Sequence, residues 1–169
     1  GVWFFGNTRV DTGAKTTFEV WYKTGASPTW VLSAEKTYFS DVFNGAAATV
    51  YTSYQNGNSL GTLTGNQYGV YWLFVCPEGD LYVVLDTAAH ANLGAAQAAA
   101  IPTATLPPYC VNWARLVGRV ICKQGAAALT SVESVFGTTV FTAGILTNHA
   151  TLANLDYADA GHTGFESAS

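Results

Sequence analysis

Charged residues are scarce in this sequence. Only 11% of its 169 residues are Asp, Glu, Lys or Arg, against about 25% in an average soluble protein. With 7 Lys plus Arg and a formal net charge of −4, the chain has too few cations to neutralise a run of phosphates, so we expect no nucleic-acid partner. Hydrophobic residues reach 49%. The sequence is therefore either a very apolar small domain or a chain that buries surface against copies of itself, and we expect the second.

Cysteine and long apolar runs are limited too. Cys76, Cys110 and Cys122 lack the paired spacing of a zinc site. We expect buried free thiols, with a bridge between Cys110 and Cys122 as the alternative. The longest apolar run, Gly69–Cys76, is far shorter than the ~20 residues that span a bilayer, so we expect no membrane insertion.

Signals of catalysis are weak. No His-Glu-x-x-His, Gly-x-Gly-x-x-Gly or P-loop pattern occurs. A glycosidase needs two carboxylates on either side of the scissile bond. The acids that could meet in space are Asp41, Glu78, Asp80 and Asp86, and three of these lie in or beside a predicted hairpin, where acids commonly form turns. We therefore expect no enzyme activity and no cofactor.

The first third of the chain alternates as β-strands do. In Thr17–Lys23, one face carries Phe18, Val20 and Tyr22, and the other carries Thr17, Glu19, Trp21 and Lys23. Three further runs are rich in β-branched and aromatic residues: Thr29–Ser33, Thr37–Phe43 and Ala48–Tyr54. Clusters of Gly, Asn, Ser and Pro separate these runs, which predicts an antiparallel sandwich or barrel.

The middle of the chain contains the clearest hairpin. Tyr68–Cys76 is apolar on both faces, which is typical of a central strand covered on both sides. Pro77–Asp80 then turns the chain, and Leu81–Leu85 returns as the partner strand. The Ala-rich stretch Thr87–Ile101 predicts a short helix interrupted by Gly94, within a long crossing or a mobile loop.

The next segment contains prolines and then a further strand pattern. Pro102 and Pro107-Pro108 favour an extended connection. For His90, which lies in the preceding Ala-rich stretch, we expect no special role. Asn112–Lys123 alternates again, and Leu129–Val135 predicts one more strand. One face of Asn112–Lys123 carries Arg115, Val117, Arg119, Ile121 and Lys123, and the other carries Leu116, Val120 and Cys122. Three cations on one face indicate a half-exposed or subunit-facing sheet.

The final segment, Ile145–Phe165, predicts a helix of about two turns. Thr147 or Asn148 can cap its start, and Leu152 and Leu155 share one face with Leu146 just ahead. An isolated helix shorter than ~12 residues is marginal in water. Something outside this segment must therefore cover its leucines.

The same segment has a recognisable pattern: His149, Leu152 and Leu155, then Asp159, Gly161, His162, Gly164 and Phe165. It resembles a segment that recurs in bacteriophage tail fibres and related virion appendages, where a globular module passes into a three-chain stalk. The resemblance covers about Leu106–Phe165. It implies a trimeric structural virion protein that contacts other fibre or tail proteins and contributes to host attachment. Together with the strand pattern, it leads us to expect an all-β, jelly-roll-like antiparallel β-sandwich over residues 1–136, followed by a connector and oligomerisation segment over 137–169.

Candidate binding residues follow from these expectations. The residues expected in the trimer contact are Leu146, His149, Leu152, Leu155 and Phe165. Aromatic rings beside small polar groups suit sugar binding, and the candidates are Trp21, Trp30, Tyr51 and Tyr54, which can instead fill the core or an interface. Trp21 is the strongest candidate because it shares a face with Glu19 and Lys23.

Three alternatives remain open. His149 and His162 could place one histidine per chain around a metal on a three-fold axis, but we expect hydrogen bonds at the subunit boundary and no metal. The chain could also be a non-viral extracellular filament subunit, since contacts that do not close into a ring give polymers. A glycan-degrading spike module is the third alternative, and it requires paired carboxylates in a cleft.

Overall fold

The computed structural model describes residues 2–5, 8–11, 14–25, 29–37 and 52–136. These ranges are mostly strand. The strands are β1 (Val2–Phe5), β2 (Thr8–Asp11), β3 (Glu19–Lys23), β4 (Trp30–Leu32), β5 (Ser53–Asn56), β6 (Ser59–Thr62), β7 (Tyr68–Val75), β8 (Leu81–Leu85), β9 (Arg115–Lys123) and β10 (Ser131–Ser134). The helices are α1 (Leu93–Gln97), α2 (Pro108–Asn112) and a 3₁₀ turn at Thr103–Thr105. The expected β-rich fold is confirmed.

Six strands form one mixed sheet in the order β10-β9-β7-β8-β3-β4, and β1-β2 and β5-β6 are separate pairs. Neighbours in the six-stranded sheet are antiparallel except β3 and β8, which run parallel. The expectation of purely antiparallel pairing was wrong at this one place. Parallel neighbours need a long crossover connection, and the chain between Lys23 and Leu81 is long enough to supply it.

Strand β7 is central, as its doubly apolar sequence predicts. It lies between β9 and β8, and every residue from Tyr68 to Val75 has a partner on β9. Trp72 and Tyr71 point to opposite faces and both are fully buried. Burying such a side chain stabilises the fold by about 1.5–3 kcal/mol. The predicted hairpin to β8 is confirmed, and Gly79 at φ +88° permits its turn.

Each face of this sheet has its own core. The face that we call the helix face is covered by α1 and α2 and contains Val70, Trp72, Phe74, Cys76, Tyr82, Val84, Ala96, Cys110, Ala114 and Ile121. The opposite face, which we call the hairpin face, contacts the β5-β6 hairpin through Leu60 and contains Phe18, Val20, Tyr71, Val83, Leu85, Val120 and Cys122. The predicted alternation in β3 is confirmed, since Phe18 and Val20 lie on the hairpin face and Trp21 packs on the helix face.

The proline-containing connection before β9 does not have the predicted extended structure. The expected extended connection was wrong because Thr103–Thr105 forms a 3₁₀ turn and Pro108 occupies the first position of α2. Proline suits that position, since its ring presets the helical φ and the missing N–H has no helical partner there. The predicted Ala-rich helix is confirmed as α1, but the expected interruption at Gly94 was wrong, since Gly94 lies within that helix. Its cap is the Asn92 side chain, whose Oδ1 accepts from the Ala95 N–H at 2.9 Å.

A β-bulge changes which side chains of β9 lie on the same face of the sheet. The register with β7 shifts between Leu73 and Phe74, so that Phe74 pairs with Leu116 while Leu73 pairs with Gly118. As a result Leu116 packs on the helix face together with Ile121, and the prediction that they lie on opposite faces was wrong. The prediction of a half-exposed cationic face was also wrong for Arg119, which is only 4% exposed.

The thiols Cys76, Cys110 and Cys122 are free and buried, as predicted. Cys110 belongs to the helix face and Cys122 to the hairpin face, so the alternative of a bridge between them is excluded by the sheet that separates them. Within the described ranges, no helix is long and apolar enough to cross a membrane.

Several sequence predictions lie outside the described residues. These are the strand at Thr37–Phe43 beyond Thr37, the start of Ala48–Tyr54, and the whole terminal segment Ile145–Phe165. The trimer-contact residues and the second unit at 137–169 therefore stay predictions.

Candidate functional site

Three aromatic rings from separate parts of the chain meet on the helix face. Trp21 stacks with Tyr109 at a centroid distance of 6.4 Å and an interplanar angle of 27°. Tyr82 meets Trp21 edge-on at 6.2 Å and Tyr109 edge-on at 5.6 Å. We call these three residues the aromatic cluster. Tyr82 is buried, whereas Trp21 and Tyr109 keep part of their surface exposed.

Sheet pairing and helix α2 bring the cluster together. In the parallel pair of β3 and β8, Val20 lies opposite Val83, and both side chains lie on the hairpin face. Successive side chains of a strand point to opposite faces, so the neighbouring Trp21 and Tyr82 both lie on the helix face. Tyr109 lies on α2, directly after the proline that starts the helix. The cluster therefore depends on the unexpected parallel pair.

A carboxylate forms the polar rim of the aromatic cluster. The Tyr109 hydroxyl donates to Glu78 Oε2 at 2.9 Å. Hydrogen bonds from Cys76, from backbone and from Tyr109 hold the pKa of Glu78 below its usual range. Burial, together with the Glu78 contact, raises the pKa of the Cys76 thiol, so the thiol stays protonated and its Sγ accepts from the Asp80 N–H at 3.2 Å. Cys76 thus acts as a structural hydrogen-bonding group.

An unpaired donor lies in the same cluster. The indole Nε1 of Trp21 is buried and has no hydrogen-bond partner within the described part of the chain. Burial also raises the pKa of Tyr82 and Tyr109, so both hydroxyls remain protonated across the physiological range. Ring faces beside one fixed carboxylate and neutral hydroxyls match the chemistry of a sugar, which has an apolar face and a polar edge.

A small acidic cavity lies where β3 and β8 begin. Its volume is about 190 Å³, and its lining residues are Thr17, Phe18, Glu19, Glu35, Asp80 and Leu81. Burial, and then the charges of Asp80 and Glu35, raise the pKa of Glu19. The neighbouring carboxylates are engaged, since Asp80 pairs with Lys15 at 3.2 Å and Glu35 accepts from Thr17 at 3.1 Å. Within the described ranges, no group of three or more His, Cys, Asp or Glu side chains could hold a metal ion.

The predicted sugar-binding residues do not form one site. Trp21 and Trp30 both pack against the helix-face core from adjacent strands, and the Lys23 ammonium lies 4.7 Å from the centre of the Trp30 ring. Tyr54 lies in the hairpin beyond the opposite face, where its ring occupies the space beside Gly61. Tyr51 is outside the described residues. The glycan-binding role of all four stays a prediction.

The sequence reasoning missed the role of His90. Its Nε2 lies 2.7 Å from Oδ2 of Asp86, and both side chains are nearly buried. His90 also exchanges two backbone hydrogen bonds with Tyr68, at 2.8 and 2.9 Å. The expectation that His90 has no special role was wrong, because it links the end of β8 to the start of β7. The four-residue spacing of Asp86 and His90 was the available signal.

The sequence also contains a motif that is typical of a catalytic serine and that the sequence reasoning missed. Gly57–Gly61 matches Gly-x-Ser-x-Gly, which in hydrolases is a strand–turn–helix element that exposes a reactive serine. Here the pattern forms the turn of the β5-β6 hairpin, with Gly57 at φ +59°. The Ser59 hydroxyl donates to the Asn56 carbonyl at 3.1 Å. The pattern is therefore a turn sequence.

Comparison with known proteins returned nothing: no family model, no curated protein and no solved structure matches this chain.

Proposed function

We propose that this chain is a structural virion protein, a component of a bacteriophage tail fibre or appendage that assembles as a homotrimer. The observation that carries this proposal is the terminal pattern from His149 to Phe165, which follows a β-rich module as it does in such fibres. The module gives the fibre a globular body, and the terminal segment joins three copies. Its partners are other fibre or tail proteins, and its location is the virion.

The proposal includes a finer description of the fold. The module is a jelly-roll-like β-sandwich, antiparallel except between β3 and β8, in which the six-stranded sheet is one layer and the β5-β6 hairpin belongs to the second. The buried hairpin face supports this description, because Phe18, Val20 and Tyr71 lie beneath that second layer. A sheet buried on both faces needs a covering layer on each side. The terminal helix at Leu152 and Leu155 is part of the same proposal.

The assembly can be tested by mass. Light scattering on the full chain should give about three times the chain mass of 17.9 kDa. Replacing Leu152 and Leu155 together with Asp should convert the trimer to monomers, because the charged helix can no longer pack against its copies. Replacing the exposed Thr103 and Thr105 together with Asp is the matched control and should leave the trimer intact. A monomeric wild-type chain would contradict the proposal.

The adhesive part of the proposal concerns host glycans. The aromatic cluster supports it, since two partly exposed rings and the Glu78 carboxylate offer both kinds of contact that a sugar needs. The test is a glycan array probed with the wild-type assembly, with Trp21→Ala, and with Trp113→Ala as a control for an exposed indole outside the cluster. Binding that Trp21→Ala abolishes and Trp113→Ala preserves is the expected result. Binding that survives Trp21→Ala would remove this residue from the site.

A glycan-degrading module is the second candidate, and the acidic cavity is the specific observation that favours it. Glu19, whose pKa is raised by burial, lines the same cavity as Glu35, and a glycosidase needs an acid and a partner carboxylate. Release of reducing ends from capsule, lost in Glu19→Gln, would support this candidate. Release at the same rate by wild type and buffer would dismiss it and leave the purely structural role.

A further inference from the structure

The turn of the β5-β6 hairpin contains an Asn-Gly dipeptide, Asn56-Gly57, which is the only one within the described ranges. The sequence has one other, Asn44-Gly45, outside those ranges. Asn56 and Gly57 are both exposed, and Gly57 is the first turn residue after the pair of Asn56 with Ser59. A Cβ added at Gly57 would meet nothing within 4 Å. Solvent therefore reaches the dipeptide.

An asparagine that precedes glycine can react with its own backbone. The Gly57 nitrogen attacks Cγ of Asn56, the new C–N bond closes a succinimide ring, and the bond from Cγ to Nδ2 breaks. Nδ2 leaves as ammonia and takes with it the proton of the Gly57 N–H. Water then opens the ring, giving aspartate by attack at Cγ or isoaspartate by attack at the backbone carbonyl carbon. Glycine favours this reaction because it has no Cβ beside the attacking nitrogen.

The closed hairpin opposes the reaction. Closing the ring requires rotation about the Cα–C bond of Asn56, and the pairing of Asn56 with Ser59 keeps that bond in the extended conformation of a strand. The Ser59 hydroxyl strengthens the pairing, because it donates to the Asn56 carbonyl at 3.1 Å. The reaction therefore proceeds from an opened hairpin.

Gln55 keeps the turn closed. It is only 2% exposed, and its Nε2 donates to the carbonyls of Gly57 at 3.0 Å and Ser59 at 2.9 Å. Its Oε1 accepts from the Lys23 N–H at 2.9 Å, which ties the turn to β3. A reaction that proceeds from an open state follows the population of that state. One buried side chain therefore controls how often the Asn-Gly turn becomes reactive.

We infer that Asn56 is a modification site that loses ammonia spontaneously, at a rate set by opening of the β5-β6 hairpin and kept low by Gln55. The isoaspartate product lengthens the main chain, which displaces Gly57 and Ser59 from their register with the first strand. A hairpin that has reacted does not close again in its original register. Leu60, which packs against the hairpin-face core, then loses its position.

The test follows the loss of ammonia in the full chain at mildly alkaline pH, where the Gly57 N–H is deprotonated more often. Peptide mapping by mass spectrometry measures the conversion of each asparagine over time. We expect the rate at Asn56 to rise by about tenfold or more in guanidinium chloride that unfolds the chain. In the unfolded chain, Asn58 before serine and Asn66 before glutamine should convert much more slowly than Asn56.

Two variants separate opening of the hairpin from unfolding of the whole module. Gln55→Leu in native buffer should raise the rate at Asn56 by about tenfold or more, because it removes the hydrogen bonds that close the turn. Glu133→Gln, which weakens the β9-β10 pair, is the matched control. It should leave the rate at Asn56 unchanged.

Three results would overturn the inference. The first is an equal rate at Asn56 in native buffer and in denaturant, because the hairpin then gives no protection. The second is equal acceleration by Gln55→Leu and Glu133→Gln, because the reaction then follows unfolding of the module. The third is conversion at Asn56 no faster than at Asn58 in the unfolded chain. Circular dichroism checks folding, and if Gln55→Leu does not fold, Ser59→Ala, which removes the hydroxyl bond to Asn56, must still raise the rate.

Discussion

Arg119 Nε donates a hydrogen bond to Glu133 Oε2 at 2.7 Å, and this buried pair connects β9 to β10. The same guanidinium donates to the carbonyls of Gln97 at 2.6 Å and Ala99 at 3.1 Å. It therefore also satisfies carbonyls at the end of α1, where a helix leaves its last acceptors unpaired. One side chain joins two strands and a helix, and its charge is balanced by a single carboxylate.

Removing that carboxylate should destabilise the fold. In Glu133→Gln the shape is kept, but Arg119 remains as a buried cation without its counter-charge, and we expect a loss of about 3 kcal/mol in the free energy of unfolding. Urea denaturation at neutral pH measures it. Asp80→Asn, which breaks the exposed pair with Lys15, is the control and should cost less than about 1 kcal/mol. Equal losses in the two variants would contradict the central role of Arg119.

Acid should weaken the fold through the same pair. Burial raises the pKa of the Glu133 carboxyl, but hydrogen bonds from Arg119 and Ser131 outweigh burial and hold the pKa below its usual range. Because the folded-state pKa is lowered, the contribution to stability is complete above the usual carboxyl pKa and is lost as pH falls through the lowered value. The difference in stability between wild type and Glu133→Gln should therefore shrink on acidification. A difference that is constant with pH would exclude this explanation.

Glu19 should show the opposite dependence. Its pKa is raised by burial and by Asp80 and Glu35, so the folded state binds the proton more tightly than the unfolded state does. That advantage is present below the usual carboxyl pKa and is lost as pH rises through the raised value. Glu19→Gln should therefore unfold at a higher temperature than wild type at neutral pH, with the gain vanishing in acid. A destabilised Glu19→Gln at neutral pH would contradict this.

Gln55 should be intolerant of an apolar replacement. Its Oε1 accepts from the Lys23 N–H at 2.9 Å, and its Nε2 donates to the carbonyls of Ser59 at 2.9 Å and Gly57 at 3.0 Å. Gln55→Leu leaves these backbone groups without their partner, at about 1–3 kcal/mol each for those that water cannot reach. Chemical denaturation measures the loss. Gln67→Leu, at a more exposed glutamine, is the comparison and should cost less.

Gly118 should not accept even one methyl group. A Cβ there would overlap the backbone carbonyl oxygen of Glu133 on the paired strand. Backbone cannot move aside as a flexible side chain can, so Gly118→Ala should separate β9 from β10 and lower the melting temperature. Gly65→Ala is the matched control, since a Cβ there meets nothing within 4 Å. Equal melting temperatures for the two variants would show that the strands can separate without cost.

Periodicity and turn chemistry were enough to locate most of the described elements. Strand β7, its hairpin with β8, strands β3 and β4 and helix α1 all follow from local patterns, because alternation and turn residues act over a few neighbouring positions. For the proline-containing segment before β9, the same reasoning predicted the wrong structure. Pro108 begins a helix as easily as it extends a chain, and only the packing of α2 on the sheet selects between them.

The sequence by itself determined the β-rich class of this protein and its central apolar strand, since each depends on composition or on short-range spacing. Only the tertiary structure decided that Trp21 meets Tyr109, that Arg119 is buried against Glu133 and that β10, among the described strands, pairs with β9 alone. Those contacts join residues far apart in the chain. The aromatic cluster depends on the parallel pairing of β3 with β8, which leaves no signal in the residues that it brings together.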